Sequence, residues 1–144
     1  MPLKTIDLFS ETIAKTGHWI DEVMLATGNM EVRHAYAALR AVLHVLRDRL
    51  TVDEAVNLGA QLPMLVRGFY YEGWRPEGRP ARHRHKAEFL SLVSAAAPGL
   101  NEIEVERAVR GVFALLSRHV SAGEVQDVRN QLPAEVREMW DTAA

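Results

Sequence analysis

The chain carries one passage twice. Gln61-Leu62-Pro63, followed by Val66-Arg67, returns as Gln131-Leu132-Pro133 followed by Val136-Arg137. The same gapless offset of 70 pairs Arg40 with Arg110, Val42 with Val112, Leu46 with Leu116, Glu54 with Glu124 and the aromatic Trp19 with Phe89. Twelve of the 53 positions in 18–70 are identical in 88–140, where unrelated sequences of ordinary composition share roughly three or four. A self-match at one fixed period marks two copies of a single supersecondary unit. Within 144 residues the copies are expected to share a core as a pseudo-symmetric pair rather than stand as separate domains.

Each copy has a helical pattern. Ile6, Phe9, Ile13, Trp19 or Ile20, Val23 and Met24 recur at three-to-four spacing. Gly17 is a candidate break in that helix. Gly28-Asn29 ends it, with Asn29 a candidate cap for the next. Over about 31–50, Ala35, Ala38, Leu39, Val42, Leu43, Leu46 and Leu50 form one apolar stripe, and Arg33, Arg40, His44 and Arg47 form a polar stripe on another side. Thr51-Val52-Asp53-Glu54 has the grammar of a capping box, in which the Thr51 hydroxyl takes one orphan amide and Glu54 reaches back to another. Pro63 is suited to open a further helix, where its missing N–H costs nothing. The second copy repeats this: a helix over 86–97, an Asn101 cap before 102–120, a second box at Ser121 and Glu124, and Pro133 before the last helix. No sustained alternation or Asn-Gly turn suggests a strand. The expected fold is all-α, about eight helices as two tandem four-helix repeats with pseudo-two-fold symmetry. Its single domain, 1–144, divides into a unit at about 16–71, a linker at about 72–85 and a second unit at about 86–141.

Composition narrows the function classes. The absence of cysteine excludes a disulfide framework, a thiolate zinc site and a cysteine nucleophile. Met1 to Asp7 shows no apolar signal-peptide core, and no apolar run is long enough to span a membrane. A cytoplasmic location without membrane association is the expectation. There is no Gly-x-Ser-x-Gly elbow, phosphate-binding loop or dinucleotide fingerprint, so the chain is expected not to be an enzyme and to need no cofactor or metal. His83 and His85, two apart in the linker, offer the one metal-assisted alternative.

Two constellations remain. The repeated polar positions Arg40, Glu54, Gln61 and Arg67, with Arg110, Glu124, Gln131 and Arg137, suit structural roles first: caps, ion pairs and backbone bonds at helix junctions. Equivalent binding sites in each unit are the alternative. The junction Arg67–Lys86 holds Phe69, Tyr70, Tyr71 and Trp74 and carries Arg67, Arg75, Arg79, Arg82, Arg84 and Lys86 against Glu72 and Glu77. That is a local charge of +4 in a chain of net −2. Tyr, Trp and Arg anchor protein interfaces, and basic side chains among aromatics also suit phosphates and stacked bases. Arg67, Tyr70, Tyr71, Trp74, Arg75, Arg79, Arg82, Arg84 and Lys86 are therefore the candidate partner- or anion-binding residues. A protein partner is the first expectation and an anion or nucleic acid bound by 75–86 the alternative. A homo-oligomer stays open.

The run Tyr36–Ala55, then Gly59–Trp74 around Gln61-Leu62-Pro63, then Ser117–Arg129 and Gln131–Arg137, resembles the domain-of-unknown-function 2267 family of bacterial proteins. The likeness covers about 16–140 and includes both copies in order. It implies a small all-helical cytoplasmic protein, sometimes linked with stress-type genes, and supplies no catalytic residues. A non-enzymatic interaction module, such as a stress-linked regulatory adaptor, is the functional expectation.

Overall fold

A computed structural model describes residues 4–78 and 80–142. Among them are a 3₁₀ turn, Thr5–Phe9, and eight α-helices: α1 (Ser10–Ala26), α2 (Val32–Arg49), α3 (Val52–Ala60), α4 (Met64–Tyr71), α5 (Lys86–Ala96), α6 (Glu102–His119), α7 (Ala122–Asn130) and α8 (Ala134–Asp141). The fold is all-α. Helices α6, α7 and α8 start and stop 70 residues after α2, α3 and α4. Helix α5 ends at that offset from α1 but begins later. The stretch before it is held extended, with the Ala81 N–H committed to the Asp48 carbonyl at 2.7 Å.

The two longest helices, α2 and α6, pack on each other, and both also pack on α1 and α5. Helix α4 lies on α2 and α1, α8 lies on α6 and α5, and the short helices α3 and α7 meet. Leu39, Leu43 and Leu46 of α2 and Val112, Leu115 and Leu116 of α6 are fully buried along the central seam. Trp19 and Phe89 occupy equivalent positions in α1 and α5, and both are buried. The Phe113 ring stacks on Trp140 with centroids 4.5 Å apart, and the Trp140 Nε1–H donates to Ser117 Oγ at 2.7 Å. Glycine is required where α1 crosses α6, since a Cβ on Gly111 would come within 2.6 Å of the Ala26 Cβ.

Asn101 caps α6 as expected: its side chain accepts from the Glu104 amide at 2.9 Å, and Glu104 answers by accepting from the Asn101 amide at 3.0 Å. The boxes at Thr51 and Ser121 are only half formed. Each hydroxyl accepts from the amide of its glutamate at 3.3 Å. The return bond does not come from that glutamate. Gln131 Oε1 accepts from the Thr51 amide at 2.9 Å, and Gln61 Oε1 accepts from the Ser121 amide at 3.1 Å. The glutamine after each short helix thus caps the short helix of the other half. Glu54 and Glu124, released from capping, turn inward and are buried.

Other local expectations are corrected. Gly17 does not break α1, which runs through it, because one glycine costs a helix only about 1 kcal/mol. Asn29 does not cap α2, whose N-cap is Glu31. With φ 65 it closes α1 instead, its N–H bonding the Met24 carbonyl at 2.8 Å, a left-handed role that asparagine tolerates. Pro63 and Pro133 sit at the N-cap, one place earlier than expected. Ile6, Phe9 and Ile13 do not continue the buried face of α1; all three are exposed.

Leu46→Ala and Leu116→Ala are each expected to cost about 2–5 kcal/mol by the lost contacts and the cavity left, measured by urea unfolding. Gln131→Ala removes its bonds to the Thr51 amide and hydroxyl and is expected to cost about 1 kcal/mol. An unchanged midpoint would show that water replaces the glutamine.

Candidate functional site

The polar stripe of α2 organises the junction. The last carbonyls of α4 have no partners within their own helix. His44 Nε2 bonds the Phe69 carbonyl at 2.6 Å, so that nitrogen carries the proton. Burial, the leading cause, keeps the His44 pKa below the usual imidazole value, which fits a neutral ring. Arg47 is 4% exposed. Its Nη1 donates to the carbonyls of Tyr70 at 2.7 Å and Glu72 at 2.9 Å, and its Nε pairs with Asp48 at 2.9 Å. Arg40 Nε pairs with the Glu72 carboxylate at 3.3 Å.

The segment after α4 is then laid along the end of α2. Ala81 is tied to Asp48, and Arg49 Nε donates to the His83 carbonyl at 3.1 Å. At its far end, His85 pairs with Glu135 at 2.8 Å and Lys86 with Glu106 at 3.2 Å. This anchoring leaves a basic cleft of about 400 Å³ lined by Arg49, Arg82, Arg84 and the Pro80-Ala81 backbone. Arg49 and Arg84 also line an adjoining cleft of about 410 Å³ with His85 and the turn Gln131–Glu135. Burial and then the like charge of Arg84 hold the Arg49 guanidinium below its usual value. Among the described residues, no carboxylate lies within ion-pair range of Arg49, Arg82 or Arg84.

The candidate residues separate accordingly. Tyr70 is removed from any surface: its ring is fully buried and its hydroxyl donates to the Ala55 carbonyl at 2.7 Å, tying α4 to α3. Tyr71 and Trp74 are half-buried, with ring centroids 5.4 Å apart. Tyr71 lies over Gly59, where an added Cβ would come within 2.3 Å of its hydroxyl. Arg67 donates to the carbonyls of Gly59 and Leu62 and lines a separate cleft of about 710 Å³ with Lys15, His18 and His119. Arg75 borders a fourth cleft beside Trp74 and Asp48, Lys86 is paired, and Arg79 lies outside the described residues. The basic cleft therefore draws Arg82 and Arg84 from the candidate set and adds Arg49 from α2.

His83 and His85 have different neighbours. The His83 ring meets Phe89 edge-on at 5.8 Å; burial, then Arg49, pulls its pKa down. His85 is held by Glu135, whose hydrogen bond raises its pKa. Among the described residues, neither joins a cluster of three potential metal ligands.

The family model described as Uncharacterized conserved protein (DUF2267) matches residues 16–139. The chain belongs to the DUF2267 family. No curated protein matches it. Within this DUF2267 chain seven of the eight repeated polar positions have partners, while among the described residues the Arg137 side chain forms no hydrogen bond or ion pair. Arg110 bonds Thr142, 70 positions beyond the Glu72 that Arg40 holds. The two glutamines cross-cap the short helices. Glu54 and Glu124 come together where α3 meets α7: one carboxylate oxygen of each, with one of Asp127, all lie within 4.8 Å of one another. The Glu124 carboxyl is pushed up to about 8 by burial first, then by the hydrogen bond and charge of Glu54, then by Asp127.

Sequence reasoning missed Arg49. Its signal was present in the basic last turn of α2, Arg47 and Arg49, directly before the break at Thr51. Arg47→Met leaves two carbonyls without a donor and is expected to cost about 1–3 kcal/mol. It should also raise amide exchange across 72–82, read by mass spectrometry. Unchanged exchange there would show that Arg47 does not anchor the segment.

Proposed function

We propose that this protein is a non-enzymatic binding module whose basic cleft, formed by Arg49, Arg82 and Arg84, receives an acidic segment of a protein partner. The observation that carries this reading is one cleft lined by Arg49, Arg82 and Arg84, with no carboxylate in ion-pair range of the three among the described residues. Guanidinium groups stay protonated at any working pH and fork onto carboxylates. They bind and orient an anion, and they supply no nucleophile or general base. The segment 67–86 carries a net +4 in a chain of net −2, a short basic stretch that suits a short acidic segment better than a long nucleic-acid track.

The test is fluorescence anisotropy of a labelled oligo-glutamate peptide against wild type and the Arg82→Ala/Arg84→Ala double variant. Wild type is expected to bind at low salt and to weaken as salt rises. The double variant should lose about tenfold or more in affinity with its thermal stability intact, since both side chains are exposed. Binding that survives the double substitution, or that is absent at low salt, would overturn the reading. Tighter binding of single-stranded DNA of matched charge, lost in the same variant, would replace the acidic peptide with nucleic acid.

A further inference from the structure

The repeated glutamates form the one strongly buried acidic pair in the described molecule. Glu54 on α3 and Glu124 on α7 are 8% and 9% exposed. One oxygen of each, Oε2, is buried without a hydrogen-bond partner if both groups are read as ionised acceptors. Two carboxylates held close together and largely out of water repel, and each leaves lone pairs unmet. A single proton between them changes this: one group becomes a carboxylic acid that donates to the other.

We propose that Glu54 and Glu124 share one proton and act as a pH-sensitive latch between α3 and α7, closed while the proton is held and loosened when it leaves. This goes beyond the anion-binding reading and does not depend on it.

The surroundings favour the proton. From α7, Asp127 adds a like charge. From α4, the Tyr70 hydroxyl is committed to the Ala55 carbonyl, and burial holds it protonated. The α2 cation nearest Tyr70, Arg47, is already paired with Asp48. Helix α6, which packs on α7, directs Arg118 and His119 to Glu22, and Arg129 of α7 pairs with Asp141. Every group acting on Glu124 disfavours its charged form. Its carboxyl sits near 8 in the folded protein and in the ordinary range, about 4.3, in the unfolded chain. The folded state thus holds a proton that the unfolded chain has released. The stabilisation is complete below the ordinary carboxylate range, falls progressively as pH rises from there, and is lost once pH passes about 8, where both states have released the proton. The glutamine caps at Thr51 and Ser121 flank the pair and keep α3 and α7 in register while it titrates.

The experiment compares wild type with Glu124→Gln, Glu54→Gln and Asp127→Asn by thermal unfolding between about pH 6 and about pH 9.5. Wild type is expected to lose several degrees of Tm between about pH 6 and about pH 8 and to level off above that. The single glutamine variants, in which an amide donates permanently to the remaining carboxylate, should stay nearly flat and exceed wild type at the alkaline end. Asp127→Asn removes a like charge and should move the decline to lower pH. Hydrogen exchange at matched alkaline pH should be faster in 52–60 and 122–130 of wild type than of Glu124→Gln, and equal at the acid end. Should the glutamine variants fail to fold, carbon-13 NMR of glutamate carboxyls in wild type decides: one titrating near pH 8 supports the latch. No glutamate titrating above about 6 overturns it, as does a parallel fall of Tm in wild type and Glu124→Gln. Restoration of wild-type stability at alkaline pH by millimolar calcium, absent in Glu124→Gln, would also overturn it, in favour of a cation held by the carboxylates.

Discussion

The docking of α3 on α7 is set by a crossed pair of hydrogen bonds to glutamine side chains. Gln61, at the end of α3, satisfies the Ser121 amide at the start of α7; Gln131, at the end of α7, satisfies the Thr51 amide at the start of α3. Each half thereby completes the helix start that the other half leaves open. The bonds fix how α3 and α7 face each other, and that facing brings Glu54 against Glu124. It also sets the turn Gln131–Glu135 beside Arg49 and Arg84, where the turn becomes one wall of a basic cleft. A residue pair that began as a sequence repeat ends as the joint on which both candidate regions rest.

A second set of interactions ties described parts of a Gly- and Pro-rich stretch to α2. Such segments are often mobile because they bury little and leave their backbone to water. Here α2 supplies the missing partners. His44 and Arg47 take the end of α4, the Asp48 carbonyl takes the Ala81 amide, and Arg49 takes the His83 carbonyl. A helix with an apolar stripe toward the core and a polar stripe toward the junction does two jobs along one axis. The aromatics divide in the same way: Phe69 and Tyr70 enter the core, while Tyr71 and Trp74 are left at the margin.

Most of the fold was legible in the sequence because its determinants are local. The spacing of Leu39, Leu43 and Leu46, the Asn101 cap and the prolines before α4 and α8 act within a few residues, and period and punctuation report them. What was not legible is long-range. Nothing near Thr51 indicates that its amide belongs to Gln131, so a Thr-x-x-Glu pattern reads as a complete capping box when it is half of one. The repeated Glu54 and Glu124 were visible as a pair in sequence, but only the docking of α3 on α7 makes them neighbours. The cleft was half visible. Arg82 and Arg84 stand in an evidently basic segment, whereas Arg49 joins them only because the chain folds back along α2. Tyr70 misled because an aromatic in a basic stretch resembles an interface anchor, while the bond from its hydroxyl to Ala55 is invisible until α3 and α4 are packed.

The crossed caps also bear on how the molecule comes apart. The bonds that start α3 and α7 join residues 80 and 60 positions apart, and α1, α2 and α6 bury their apolar faces across the boundary between the halves. If one half melts, the other loses a cap amide's acceptor and an apolar wall at the same moment. A half-folded chain keeps the entropy cost of ordering its own helices while forfeiting what offsets that cost. The contacts across the boundary therefore work against a state in which one half is folded and the other is not.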